Sequence, residues 1–389
     1  MQNENHKFRI GIDARMYSSG FTGIGRYTFE LIRHLAKLDS EDEFVCFLNP
    51  AEFETFTPPA PNFRAVRVDA PHYSLTEQTR FLQKLNSEKL DLAHFTHFNS
   101  PLFYRGKFVT TIHDLTLSFF PGKKMNDFFH RLAYNLVLSR GVARAKKIIA
   151  VSKNTKKDLQ NLMQTPAEKI KVVWNGVGRE FTPSTPTELS RKQLEKKFGI
   201  SQNYLLYTGV WRDHKNILGL LEAVAKLRKK NLSSRKRGWS GELVITGKKN
   251  PVYALEILAK VKELDLKKTV VFTDLVSDED LRKLYQNARV FVFPSFYEGF
   301  GLPPLEAMSC GIPVAASNSS SIPEVCGEKN AEFFDPKNVE EMTAKIQKVW
   351  EDESLRKRLI ENGLKRVLDF SWRKMAEETL QVYREVLEG

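Results

Sequence analysis

A short β-branched and aromatic run, Arg289-Val290-Phe291-Val292-Phe293, opens into Pro294-Ser295-Phe296-Tyr297-Glu298-Gly299-Phe300-Gly301 and then Leu302-Pro303-Pro304-Leu305-Glu306-Ala307-Met308. The run has the signature of a buried parallel strand, and the paired prolines suit a first helical turn beginning between Leu302 and Leu305. A strand that passes through a glycine loop directly into a helix belongs to an open α/β sheet. There the C-terminal ends of the strands bind ligands, because free backbone N–H groups and the positive end of the helix point into the crevice. Gly299 and Gly301 allow close backbone approach to an anion. The junction is built for a phosphate that carries another group.

Glu298 and Glu306 stand eight positions apart, one in the loop and one just inside the helix. Carboxylates accept hydrogen bonds from hydroxyls, so the pair can hold a sugar on one side of the phosphates and a ribose on the other. Spacing alone equally allows a helix-start carboxylate and a surface glutamate. The run E-G-F-G-L-P-P-L-E-A-M resembles the E-x7-E signature of the retaining, nucleotide-sugar-dependent glycosyltransferases often called family 4.

The rest of the composition is compatible with such a chain. At 389 residues and 41% hydrophobic content it can bury a large core, more readily as two domains than one. The start, Met-Gln-Asn-Glu-Asn-His-Lys, has no apolar leader, and no run approaches the roughly 18 apolar residues of a membrane span, so a cytoplasmic location is expected. Cys46, Cys310 and Cys326 lack the spacing of a disulfide framework or a zinc knuckle. The net charge of +13 attracts polyanions. Clusters such as Arg144 to Lys147, Lys153 to Lys157 and Lys226 to Arg237 are either solvated faces or a surface that rests on an anionic membrane. No nucleic-acid-binding motif accompanies them, so nucleic acid is not expected as a partner.

Toward the N-terminus, Phe8 to Asp13 reads as a strand that enters a glycine-bearing loop and an amphipathic helix ending near Leu38. Gly23 and Gly25 lack the third glycine of a dinucleotide fingerprint. Further strands are expected at Glu43 to Leu48, Phe63 to Val68, Asp91 to Thr96, Lys107 to Ile112, Lys146 to Val151 and Lys169 to Trp174. Their alternation with helices predicts a parallel sheet covered on both faces. Three strand ends carry chemistry: Thr96-His97-Phe98-Asn99, His113-Asp114, and Ser152-Lys153-Asn154 with Ser152 as a helix cap. His94 and His97 lie three apart and point to opposite faces of a strand, which argues against a shared zinc ion.

The second half repeats the architecture without repeating the sequence. Phe181 to Thr187 is rich in proline and threonine, as a linker should be, and the boundary is expected near residue 185. Tyr204 to Thr208 is a strand whose loop, Gly209-Val210-Trp211-Arg212-Asp213-His214-Lys215-Asn216, feeds a helix over Ile217 to Arg228. Cations ahead of a helix N-terminus suit a departing pyrophosphate. Strands follow at Glu242 to Ile245, Val270 to Phe272 and Pro313 to Ser317, with Arg228 to Arg237 read as a solvated loop. Asp278-Glu279-Asp280 matches a metal-nucleotide D-x-D motif formally, but behind the cap Ser277 it reads as an acidic helix start. Helices complete the chain at Val339 to Trp350, Ser354 to Val367 and Trp372 to Leu387.

The resemblance extends over nearly the whole chain and implies a fold of class α/β: two facing Rossmann-like domains with a cleft between them, the GT-B arrangement. The domains would span 1–185 and 186–370, with the last helix, about 371–389, crossing back to the first. It implies no cofactor and no divalent metal. Lys215, Arg212 and the N–H groups of Gly299, Phe300, Gly301 and Leu302 would hold the diphosphate. Glu298 would hold the sugar, Glu306 the ribose, and His113 of T-I-H-D-L the sugar from the other domain. Gly23 would approach the donor phosphates, and Asp274 and Leu275 would lie along the nucleobase. Arg15, Arg26, His97 and Asn99 are acceptor-side candidates, with surface salt bridges the alternative for the two arginines. Among donors the loops look most like those of mannosyltransferases of surface polysaccharides, so GDP-mannose is expected, with UDP-glucose or UDP-GlcNAc the alternative. The acceptor would be a saccharide or lipid-linked saccharide at the cytoplasmic membrane face. A two-domain nucleotide-sugar 2-epimerase shares the shape but lacks the E-x7-E run.

Overall fold

The computed structural model describes residues 7–17, 23–122, 128–201, 203–233, 239 and 241–389. Its contacts divide the chain into two units, Met1–Gly176 with Ser371–Gly389, and Val177–Phe370. The chain passes to the second unit before the expected boundary near 185. Phe181 packs edge-on to Tyr285 at 5.7 Å and the Gln286 amide donates to the Thr182 carbonyl at 2.7 Å, which binds the proline-threonine stretch to the second unit.

Among the described residues the first unit holds seven strands: β1 Arg9–Asp13, β2 Glu43–Leu48, β3 Phe63–Arg67, β4 Leu92–Phe95, β5 Phe108–Ile112, β6 Lys147–Ala150 and β7 Ile170–Val172. They run parallel in the order β3-β2-β1-β4-β5-β6-β7. β2, β4 and β5 are buried almost throughout, as strands covered on both faces must be. The helix Gly23–Leu38 follows β1 and buries Tyr27, Thr28, Leu31, Ile32 and Leu35, a stripe at helical spacing.

Against that helix packs the C-terminal helix Trp372–Glu388. Ser371 caps it, its hydroxyl accepting from the Lys374 N–H. Its buried face repeats every three or four residues: Trp372, Met375, Ala376, Thr379, Val382, Tyr383 and Val386. Gly176 admits its first turn, since a Cβ there would stand 2.1 Å from the Trp372 nitrogen. Arg384 reaches Asp39 and Asp42 at 2.8 Å each.

The second unit carries β8 Tyr204–Thr208, β9 Glu242–Thr246, β10 Val270–Asp274, β11 Val290–Phe293, β12 Val314–Ser317 and β13 Glu332–Phe334, all parallel, in the order β10-β9-β8-β11-β12-β13. From β8 the chain builds outward to β9 and β10, then returns to place β11 on the other side of β8. The ends of β8 and β11 therefore flank the topological switch point, where open α/β sheets bind ligands.

One expectation is corrected, and one strand was not expected. The helix after β8 runs over Ile217–Ser233, so Arg228 to Ser233 is helical rather than loop; residues 234–237 lie outside the described residues. β13, three residues long at a sheet edge, was too short to show a period. The acidic run is a helix start: Ser277 accepts from the Asp280 N–H at 3.2 Å and Asp280 pairs with Lys197 at 2.6 Å. Among the described residues no helix is long and apolar enough to cross a membrane, and no group of three or more His, Cys, Asp or Glu side chains is placed to hold a metal ion.

Candidate functional site

In the second unit the loops after β8 and β11 meet. The Lys215 ammonium donates to both carboxylate oxygens of Glu298, at 2.6 and 2.8 Å, with the two side chains only 17% and 12% exposed. Asn216 holds the loops in register. Its amide donates to the Pro294 carbonyl at 3.1 Å and the Pro336 carbonyl at 2.8 Å, and the Phe296 N–H donates to the His214 carbonyl at 2.7 Å. Arg212, just ahead of the Asp213–Lys215 turn, is exposed and has no ion-pair partner among the described residues.

The glycine loop ends at Gly301, which caps the helix Leu302–Ser309 with φ +104° and Pro303 and Pro304 behind it. That backbone conformation excludes ordinary side chains, although space beside the residue is open to the Phe293 ring at 3.8 Å. Two serines fix the loop from the neighbouring strand. Ser320 Oγ accepts from the Glu298 N–H at 2.8 Å, and the buried Ser321 hydroxyl is shared between the Glu298 and Phe300 carbonyls at 2.9 and 2.8 Å. Neither serine belongs to a motif in the sequence; their place after β12, which pairs with β11, was the available signal.

Glu306 lies half-buried on the first turns of that helix, and its Oε2 accepts from the Tyr285 hydroxyl at 2.9 Å. Tyr285 is fully buried and 2.9 Å from the Thr208 hydroxyl, which ties Glu306 to the end of β8. Burial, reinforced by the Glu306 charge, raises the Tyr285 pKa well above its usual value, so it stays a neutral donor. Asp274 ends β10 with φ +58° and pairs with Lys249 at 2.5 Å, and Leu275 beside it is 50% exposed.

The residues of the first unit divide. His113 presents Nε2 to the Thr96 carbonyl at 2.9 Å and meets Tyr27 edge-on at 4.9 Å. Burial holds its pKa down, so the ring is neutral, with its proton on the nitrogen facing the carbonyl and Nδ1 left as an acceptor. His97 lies 6.4 Å from the His113 ring and its Nδ1 is buried without a partner. Asn99 donates to Glu77 at 3.2 Å while its Oδ1 is unpartnered. Gly23 begins its helix and is exposed, and a Cβ on it would meet nothing within 4 Å among the described residues beyond its own chain neighbours and helix backbone; residues 18–22 before it are outside the described residues. Arg26 is half-buried on the same helix.

Arg15 forms salt bridges, the alternative to meeting an anionic acceptor, and forms them in the interior rather than at the surface. Its guanidinium is 0% exposed, bidentate to Asp13 at 2.8 Å, joined to Glu77 at 2.7 Å and to the Ala70 carbonyl at 2.9 Å, and lies 3.9 Å over the Phe81 ring. Burial opposes its charge, but the two carboxylates outweigh that and raise its pKa. It is a structural cation that ties β1 to the Glu77–Phe81 turn.

Two parallel α/β units, with paired charges on the switch-point loops of the second, have the architecture of the GT-B glycosyltransferases. Comparison with known proteins supplies the family. Residues 21–181 match Glycosyltransferase Family 4 and residues 190–366 match Glycosyl transferases group 1. O-antigen chain mannosyltransferase B of Escherichia coli is 31% identical over 386 residues, covering 93% of this chain and 96% of that protein. The serotype-specific mannosyltransferase WbdA of the same organism is 29% identical over 63% of this chain and 29% of its own length. Among solved structures, sucrose-phosphate synthase of Thermosynechococcus elongatus superposes with a TM-score of 0.79 at 21% identity, covering 98% and 100% of the two chains. The chain belongs to the group 1 glycosyltransferases of family 4 and is a glycosyltransferase.

Proposed function

We propose that this enzyme transfers mannose, with retention of configuration, from GDP-mannose to a saccharide or lipid-linked saccharide in cell-surface polysaccharide synthesis. The observation that carries the reading is the Lys215–Glu298 pair, which sets a cation and a carboxylate together where a sugar diphosphate would straddle the switch point. Lys215, with Arg212 and the N–H groups from Gly299 to Leu302, stabilises the charge that develops on the departing diphosphate. Glu298 accepts hydrogen bonds from sugar hydroxyls and Glu306 from the ribose. The acceptor oxygen forms its bond to the anomeric carbon on the face the diphosphate leaves, and its proton passes to a donor phosphate oxygen. No side chain acts as nucleophile and no metal is required. Mannose as the sugar is favoured by the names of the relatives. Work at the inner membrane face is favoured by the net charge of +13.

The test is transfer from GDP-mannose to undecaprenyl-linked saccharides in EDTA, with UDP-glucose and UDP-GlcNAc as competing donors and the anomeric configuration of the product read by NMR. An α-mannoside formed only from GDP-mannose is expected. Glu298→Gln should lower kcat by about 10²- to 10³-fold with an unchanged circular dichroism spectrum. Full activity in that variant would remove Glu298 from the mechanism.

A further inference from the structure

β8, β9 and β10 end in step at Thr208, Thr246 and Asp274. The Gly209 N–H donates to the Thr246 carbonyl at 3.0 Å and the Gly247 N–H to the Asp274 carbonyl at 2.9 Å. Gly247 has φ +127°, and a Cβ on it would stand 2.2 Å from the Gly209 carbonyl oxygen. Two glycines thus follow the ends of β8 and β9, with the Tyr207 hydroxyl against Gly209, and the three strand ends span about 9 to 10 Å at ordinary strand spacing. The Lys215 loop leaves one end of this span, and Glu306 is tied to the same strand end through Tyr285 and Thr208. A nucleoside extending from the phosphates has this reach.

At the far end stand Asp274 and Lys249, with Nζ to Oδ1 2.5 Å and side chains 59% and 36% exposed. Asp274 holds φ +58°, in the left-handed region that aspartate and asparagine tolerate better than other non-glycine residues. The Lys249 ammonium lies 5.6 Å from the centroids of both Trp211 and Phe272, whose rings are 5.1 Å apart. An exposed pair of opposite charges contributes little stability, so its replacement leaves the fold largely intact.

We propose that Asp274 and Lys249 read the base of the donor and select guanine; the inference rests on the reading of this unit as the nucleotide-sugar half. Guanine presents two adjacent donors, N1–H and the 2-amino group, which match the two oxygens of one carboxylate, and O6 beside them, which matches an ammonium. Uracil presents a single N–H between two carbonyls, so one carboxylate oxygen would face a carbonyl oxygen. A site built to pair such donors rejects a base that lacks them, because its own polar groups are left unpaired.

Isothermal titration of the full chain with GDP, IDP, XDP, UDP and inorganic pyrophosphate tests this. The wild type should bind GDP at least about 10-fold more tightly than IDP, which lacks the 2-amino group, or UDP. Asp274→Asn keeps a residue tolerant of positive φ and presents an amide to the C2 carbonyl of xanthine, so it should reverse the order and favour XDP over GDP. Lys249→Met should weaken GDP about 10-fold and leave pyrophosphate unchanged; this second variant keeps the test open should Asp274→Asn fail to fold. Tighter binding of UDP than GDP by the wild type would overturn both the GDP reading and this role. A GDP preference that survives Asp274→Asn and Lys249→Met would overturn the pair alone. A parallel loss of pyrophosphate would reduce the pair to a general field effect and overturn it as well.

Discussion

At the scale of single residues, burial decides what each polar group can do. Lys215 and Glu298 are largely buried, yet each is the other's partner, so neither side chain is left isolated in the loop crevice. Arg15 resembles them in chemistry and differs in surroundings: two carboxylates and a carbonyl occupy its guanidinium, and no sequence pattern announced that Glu77 would supply one of them. His94 shows the same principle for a neutral group. Its Nδ1 meets the Tyr383 hydroxyl at 2.6 Å and its Nε2 the Thr111 hydroxyl at 2.8 Å, and burial lowers its pKa to about 3. Because that is below its unfolded value of about 6.5, the unfolded chain binds more protons between the two. The stability that neutral His94 contributes is complete above about pH 6.5 and is lost as pH falls toward 3. Urea midpoints measured from pH 7.5 to 4.5 should therefore fall more steeply for the wild type than for His94→Gln; parallel slopes would place the acid sensitivity elsewhere.

Elements were legible where their periods were long. The parallel strands, the helix Asp278–Asn287 with its Ser277 cap and the C-terminal helix all follow from alternation, capping residues and apolar spacing. β13 and the turn Glu77–Phe81 were not legible, since three to five residues hold no period and their form is imposed by neighbours. At the candidate site the sequence showed the glycine loop and both glutamates, but not Ser320, Ser321 or Tyr285, which act only through tertiary contact. The helix Leu302–Ser309 makes this dependence measurable. Its cap, Gly301, sits at φ +104° with open space around it, so Gly301→Ala strains the backbone without a clash. The penalty for a left-handed non-glycine residue is about 1–2 kcal/mol or more, and the loop can relieve it by turning its N–H groups away. The expected outcome is a GDP affinity about 10-fold lower or weaker still, with a melting temperature within a few degrees of the wild type. Unchanged affinity would mean that these N–H groups do not meet the diphosphate.

On the scale of the whole molecule, the order of the chain and its division into units do not coincide. The first unit is closed by residues 371–389, which arrive only after the second is complete. Gly176 has no room for a side chain beside Trp372, and Tyr383 completes the hydrogen bonds of His94 in the middle of the first sheet. The sequence showed the last helix but not these partners, because a contact between residues 94 and 383 has no local trace. Removing the helix would uncover the apolar stripe of Gly23–Leu38 and leave the buried His94 Nδ1 unsatisfied, and a buried polar atom that loses its partner costs about 1–3 kcal/mol before any apolar loss is added. The second unit has no such dependence. Val177–Phe370 is one continuous segment that contains Lys215, Lys249, Asp274, Glu298, Glu306 and Tyr285. Expressed alone, residues 177–370 should fold and keep GDP binding within a few-fold of the full chain in a calorimetric titration. Residues 1–176 alone should be insoluble or lack a cooperative melt, and should recover one when residues 371–389 are joined to them through a flexible linker. A cooperative melt for residues 1–176 without that helix would show that the first unit closes its core unaided.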